Sequence, residues 1–189
     1  MSEQHQYNLD YFYKLTGGDK PSLLSELTHQ QVEDVRHLVD RIITRETNGH
    51  DKFYESMAMM MKYVPNFILH SIAPKYIEPA IAAKITSNLS LKQILGVTAG
   101  MPVEYVGDAA VNMDSSLSAA VLAGLKKKMA TQVIEYLVST HPLAMLDILA
   151  HSPSTVRTQA SKLFNHNQLM SLRLSPIRQK TFDEVRHEH

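Results

Sequence analysis

Ten histidines and no cysteine set the terms for any chemistry in this chain of 189 residues. Without a thiol there is no disulfide, no iron–sulfur cluster and no thiol nucleophile, which fits a reducing compartment. Histidine offers acid–base work or metal ligation. Two stretches, Asp34-x-x-His37 and Glu184-x-x-His187, have the spacing for it. Both echo the Glu-x-x-His of carboxylate-bridged di-iron bundles. Such sites need inward-facing ligands on long helices, with further glutamates opposite. His37 falls off the apolar face marked by Val32, Val35 and Val39, and His187 is the third residue from the end of the sequence. His141 and His151 bracket a short helical pattern, where residues facing turn ends are the ordinary case. Neither a metal nor a cofactor is expected. No Gly-x-Gly-x-x-Gly, Walker loop, His-Glu-x-x-His or Gly-x-Ser-x-Gly occurs. Gly17-Gly18-Asp19-Lys20 follows no strand. No residue emerges as catalytic.

Binding is better represented than catalysis. Tyr7, Leu9, Tyr11, Phe12, Tyr13 and Leu15 make an aromatic segment within residues 1–20. It reads as a cap over the helical body or, for Tyr7, Tyr11 and Phe12, as a partner-binding arm, since aromatics are enriched in interface cores. Met57, Met59, Met60 and Met61 follow Phe53 and precede Phe67. Methionine fills irregular cores, and that is the commoner meaning of such a cluster. The alternative is an adaptable cavity for a small hydrophobic ligand, lined by Phe53, Met57, Met60, Met61 and Phe67. From Ile148 to Thr181 there is no acid, but Arg157, Lys162, Arg173, Arg178 and Lys180 are present. Residues 166–189 have weak apolar periodicity and read as a solvated basic arm that could meet an acidic partner. Formal net charge is zero, which argues against a general nucleic-acid binder. Met1 to Asp10 lacks the apolar core of a signal peptide, so the expected location is cytoplasmic. The most apolar region, Val64 to Ile85, is interrupted by Pro65, Pro74, Lys75, Glu78, Pro79 and Lys84 and is no membrane span.

These residues must be carried by short helices. The pattern Pro-x-x-Φ-Φ-x-x-Φ, with Φ apolar, occurs at Pro65-Ile68-Leu69-Ile72, Pro102-Tyr105-Val106-Ala109 and Pro142-Met145-Leu146-Leu149. Proline is tolerated at a helix start, where its missing N–H has no partner to lose. Apolar residues three, four and seven positions on share one face. Helices of about ten residues are marginal alone, so neighbours must bury that face. Leu117, Ala120, Val121 and Leu125 mark one further helix, and Val133, Ile134 and Leu137 another. Their shared row, Leu117 to Leu137 in steps of four, also admits a single long helix; a break at Lys126-Lys127-Lys128 is the favoured reading. Pro74 to Ile85 is expected as a separate segment, kinked or restarted at Pro79, and Ser90 to Val97 as another. A longer helix is predicted from the Thr28/Gln31 capping box to about Thr47. Asp51 is expected to cap the next one, and a last helix should follow Pro153 and end near Asn165.

The frame Leu117-x-x-Val121-Leu122-x-x-Leu125, then Ala130-x-x-Val133-Ile134-x-x-Leu137, resembles the repeat in the cytosolic N-terminal domain of the MgtE magnesium transporters. A similar unit occurs in the middle of the flagellar motor-switch protein FliG. The resemblance covers about ninety residues and is one of apolar spacing. It implies a superhelix of short helices used for protein contact or regulation. The acidic residues that serve magnesium sensing in the transporters are sparse here, so that role does not carry over. The expectation is an all-α single domain, with residues 28–164 as its helical body. Its expected function is a non-catalytic module that binds a protein partner or another copy of itself; the alternatives are a helical domain that binds a small hydrophobic ligand and an enzyme of unrecognised type.

Overall fold

The computed structural model describes residue 12 and residues 27–47, 50–164 and 174–187. Among these the chain forms eleven α-helices and no strand. They are α1 (His29–Thr47), α2 (His50–Met61), α3 (Asn66–Tyr76), α4 (Pro79–Thr86), α5 (Leu91–Thr98) and α6 (Val103–Asn112). Then come α7 (Ser115–Gly124), α8 (Lys127–Thr140), α9 (Pro142–Leu149), α10 (Ser154–Ser161) and α11 (Pro176–His187). The all-α expectation holds, and so does the longer first helix. Its predicted capping box is present: the Thr28 N–H donates to Gln31 Oε1 at 2.9 Å, and the Gln31 N–H donates to Thr28 Oγ1 at 3.3 Å.

Proline punctuates the helix starts as expected. Pro65, Pro102 and Pro153 sit at N-caps, and Pro79 and Pro142 occupy the first turn. Pro74 is the exception. It does not open a segment but lies inside α3, two residues before its end. One missing N–H near a helix terminus is tolerated, and the Ile77 N–H still closes the helix on the Ala73 carbonyl at 2.9 Å. Asp51 lies in the first turn of α2 rather than at its cap. The 115–140 row is two helices. Leu125 and Lys126 are both extended, with ψ of 152° and 139°. Gly124 ends α7 where α5 comes close: a Cβ there would lie 2.6 Å from Leu95 Cδ1.

The helices pack in two alternating rows. In one row α2 packs on α4, α4 on α6, α6 on α8 and α8 on α10. In the other α3 packs on α5, α5 on α7 and α7 on α9. The helices of the first row, from α4, begin at Pro79, Val103, Lys127 and Ser154, in steps of 24, 24 and 27 residues. Those of the second, from α3, begin at Asn66, Leu91, Ser115 and Pro142, in steps of 25, 24 and 27. The spatial period is therefore two helices. The proline pattern in the sequence steps through three, so its copies fall in α3, α6 and α9, which alternate between rows.

Side chains also tie neighbours within a row. Tyr105 Oη donates to the Ile77 carbonyl at 3.0 Å, and Tyr136 Oη donates to Asp108 Oδ1 at 2.8 Å, each across 28 positions. Gly107 allows the α6–α8 approach, since a Cβ there would lie 2.4 Å from the Tyr136 ring.

The main core is built from α6 to α11, with Ile134, Leu137, Met145, Leu146 and Leu149 wholly buried. A second, small cluster joins Phe12 to Val32, with Leu27, Val35 and Val39 against it.

The solvated basic arm is corrected for the residues described. Residues 176–187 form α11, which packs on both α9 and α10 and covers the ends of the two rows. Arg178, Thr181, Phe182 and Val185 are its buried face. They follow helical spacing, but half of them are polar types, so the apolar periodicity is weak where the burial is not.

Candidate functional site

The predicted binding residues are not brought together. Tyr7, Tyr11 and Arg173 lie outside the described residues. The Phe12 ring is buried on Val32, so it faces its own chain. Among the basic residues, Lys162 and Lys180 are exposed. Arg157 donates to Glu184 at 3.3 Å, and Lys180 lies 4.0 Å from the same carboxylate. Arg178 is 5% exposed and makes a forked pair with Asp147: Nε donates to Oδ1 at 3.0 Å and Nη2 to Oδ2 at 2.8 Å. A run without acids in the sequence is thus met in space by acids just outside it, and it does not form a free cationic stripe.

The Met cluster is also relocated. Core filling, the simpler expectation, fails for Met59 and Met60, which are exposed on α2. Phe53 and Phe67 are exposed as well, at 57% and 71%. Met57 is half-buried. Of the five residues proposed to line a ligand cavity, only Met61 does so.

Two polar groupings escaped the sequence. His141 does not meet His151; its Nε2 lies 3.2 Å from Asp108 Oδ1, the oxygen that also accepts from Tyr136. The Tyr136 and His141 rings stand edge to face at 6.0 Å. The bond to Asp108 holds the Tyr136 phenol above its ordinary pKa, with desolvation adding to it. One carboxylate thus braces α6 against α8 and its C-terminal turn. Neither the apolar cavity among α3 to α7 nor the groove beside it is lined by these three residues, and their geometry is that of a cross-brace. His70 lies against Gly100 between α3 and α5, and its Nε2 is buried without a hydrogen-bond partner. His37 lies 3.9 Å from Glu33 on the exposed side of α1. Among the described residues no group of three potential ligands converges on a metal-sized space.

What the fold does assemble is an uneven distribution of apolar surface. Among the described residues the exposed large hydrophobic residues number thirteen, and twelve of them lie between Leu38 and Leu91; Ile177 is the other. They include Tyr63, at 89% exposed, just after α2, and Tyr76, the last residue of α3. Phe53 and Met60, seven positions apart, share one face of α2. The signal for this surface was present in the sequence as aromatic and methionine density. What it lacked was the partition between inside and outside, because α2 and α3 are apolar on more than one side.

No protein-family model matches the chain, and neither a curated protein nor a solved structure matches it. The two-unit frame quoted for the likeness to the transporter and motor-switch repeats falls in α7 and α8, consecutive helices of opposite rows.

Proposed function

We propose that this chain is a non-catalytic helical-repeat module that binds a second protein through the exposed apolar side chains of α1 to α4. The observation that carries this reading is the concentration of exposed hydrophobic residues between Leu38 and Leu91, against a C-terminal half that buries its own. Large apolar side chains left exposed together in one part of a protein mark contact sites where they join into a patch. Phe, Tyr and Met are the types enriched in the cores of interfaces, where charge is depleted. The partner's surface should be apolar in turn, with no requirement for strong acidity, since Arg157, Arg178 and Lys180 already face carboxylates of this chain. The setting in this reading is the cytoplasm.

The test is the triple substitution Phe53→Ser, Met60→Ser and Phe67→Ser. All three residues are exposed, so the melting temperature should stay within a few degrees of the wild type. Affinity capture with the wild-type chain should recover a stoichiometric partner that the triple variant loses. Sedimentation velocity separates the nearest competitor: a wild-type dimer that the triple variant dissolves would make the second protein another copy of this chain. A monomeric wild type with no captured partner, or capture unchanged by the substitutions, would remove the reading.

A further inference from the structure

Separate from the exposed face, an apolar cavity of about 60 Å³ lies between α3 and α7, with Met61 reaching it from the end of α2. Its lining includes Met61, Met101, Met113, Ile85, Val106 and Leu122. Three polar side chains also line it, and each is already satisfied. Thr86 Oγ1 donates to the Ala82 carbonyl at 2.7 Å, Thr98 Oγ1 to the Ile94 carbonyl at 2.7 Å, and Tyr105 Oη to the Ile77 carbonyl at 3.0 Å. A water needs roughly 10–15 Å³ and two or more polar partners, and a cavity with the space but not the partners stays dry and admits apolar matter. Three flexible methionines in the wall allow it to widen around an aliphatic chain.

Beside it lies an open groove of about 470 Å³ at the junction of α2, α3 and α5. Met61 and Val97 line both spaces, so these two side chains separate them. The groove carries Lys62 and Lys92, both exposed, with Gln93 and Asn66 as further donors and no acid in its lining. An apolar pocket behind a doubly cationic vestibule is complementary to one chemical form. We infer that the chain binds a single-chain anionic amphiphile, with its head group at Lys62 and Lys92 and its aliphatic tail passing Met61 into the cavity.

The inference does not rest on the protein-binding reading, and its test separates the two. The full chain, with its methionines methyl-labelled with carbon-13, is titrated with octanoate, octyl phosphate, octylamine and acetate. Octanoate should saturate and shift the methyl resonances of Met61, Met101 and Met113, leaving those of Met59 and Met60 in place. Octylamine, protonated at neutral pH, has the tail with the opposite charge, and acetate has the charge without the tail; neither should saturate in the same range. Octyl phosphate binding more tightly than octanoate would assign a phosphate head group, and the reverse a carboxylate. The surface variant Lys62→Glu/Lys92→Glu should fold normally and weaken octanoate binding by about tenfold, the scale of two exposed charge pairs reversed. Shifts confined to Met59 and Met60 would mean non-specific adsorption to the exposed face and would overturn the inference. So would equal binding of octylamine, or an unchanged affinity in the lysine variant. Recruitment to anionic vesicles with Met101 and Met113 unmoved would assign the lysines to a membrane surface instead.

Discussion

Arg178 and Asp147 are joined by two charge-assisted hydrogen bonds at 5% and 14% side-chain exposure, across 31 positions of sequence. A buried guanidinium without its carboxylate cannot recover its lost hydration, so removing one partner costs more than the pair contributes. Asp147→Ala should therefore destabilise by about 3–5 kcal/mol in urea unfolding. Removing both charges in Asp147→Leu/Arg178→Met should cost less than the single substitution, because no ion is then stranded. Equal losses in the two variants would mean that Arg178 reaches water by another route. A second residue-scale effect belongs to Tyr136. Its hydrogen bond to Asp108 raises the folded phenol's pKa above that of the unfolded chain. A group shifted up in this way stabilises fully below its unfolded pKa, near pH 10, and loses the contribution as pH rises through the folded value. The stability difference between the wild type and Tyr136→Phe should be flat from pH 7 to about 9 and shrink at higher pH. A gap that stays constant to pH 11 would show that the bond does not discriminate between the two protonation states. Neither pair was legible in the sequence. Their members are separated by about thirty residues, and only the two-helix period brings them into register.

At the scale of the element, α11 decides how the stack ends. It buries Phe182 and Val185 in the main core and lays Arg178 on Asp147. Each buried side chain contributes roughly 1.5–3 kcal/mol. Deleting residues 175–189 should therefore lower the melting temperature by about 10 °C or more, since 1 kcal/mol is worth about 2–4 °C at this chain length. A shift of only a few degrees would return the segment to the status of a solvated arm. The sequence hid this helix for a physical reason. Apolar periodicity reports burial only where the buried face is apolar, and Arg178 and Thr181 hold half of that face. Where hydrophobic residues do carry the buried face, as in α8 and α9, the reading of Val133, Ile134, Leu137, Met145, Leu146 and Leu149 holds residue by residue. Proline likewise marked helix starts wherever a following apolar face existed. It failed at Pro74, where the helix is near its end and the lost bond is tolerated.

Across the whole molecule, burial rises along the chain. The main cluster takes its buried members from Val106 onward, while the cluster at α1 holds only Phe12 and Val32 as buried residues. Ile42 and Ile43, apolar residues of α1, lie exposed. Local opening costs less where few apolar contacts are lost. The amides of α8 and α9 are surrounded by wholly buried side chains from both rows, so their exchange should require the full unfolding of the molecule. The amides of α1 and α2 sit on helices whose outer faces are apolar yet uncovered, so they should exchange through smaller openings. Native-state hydrogen exchange should therefore grade from fast in α1 and α2, through intermediate in α3 to α6, to slowest in α8 and α9. The same gradient bears on function, because a partner that covers the apolar residues of α1 to α4 would stabilise the end of the stack that has most to gain. In its presence, protection should rise in α1 to α4 and hardly change in α8 and α9. Uniform protection in the free chain, with α1 exchanging as slowly as α9, would show that the exposed apolar face costs the molecule nothing, and the physical reason for expecting a partner there would be gone.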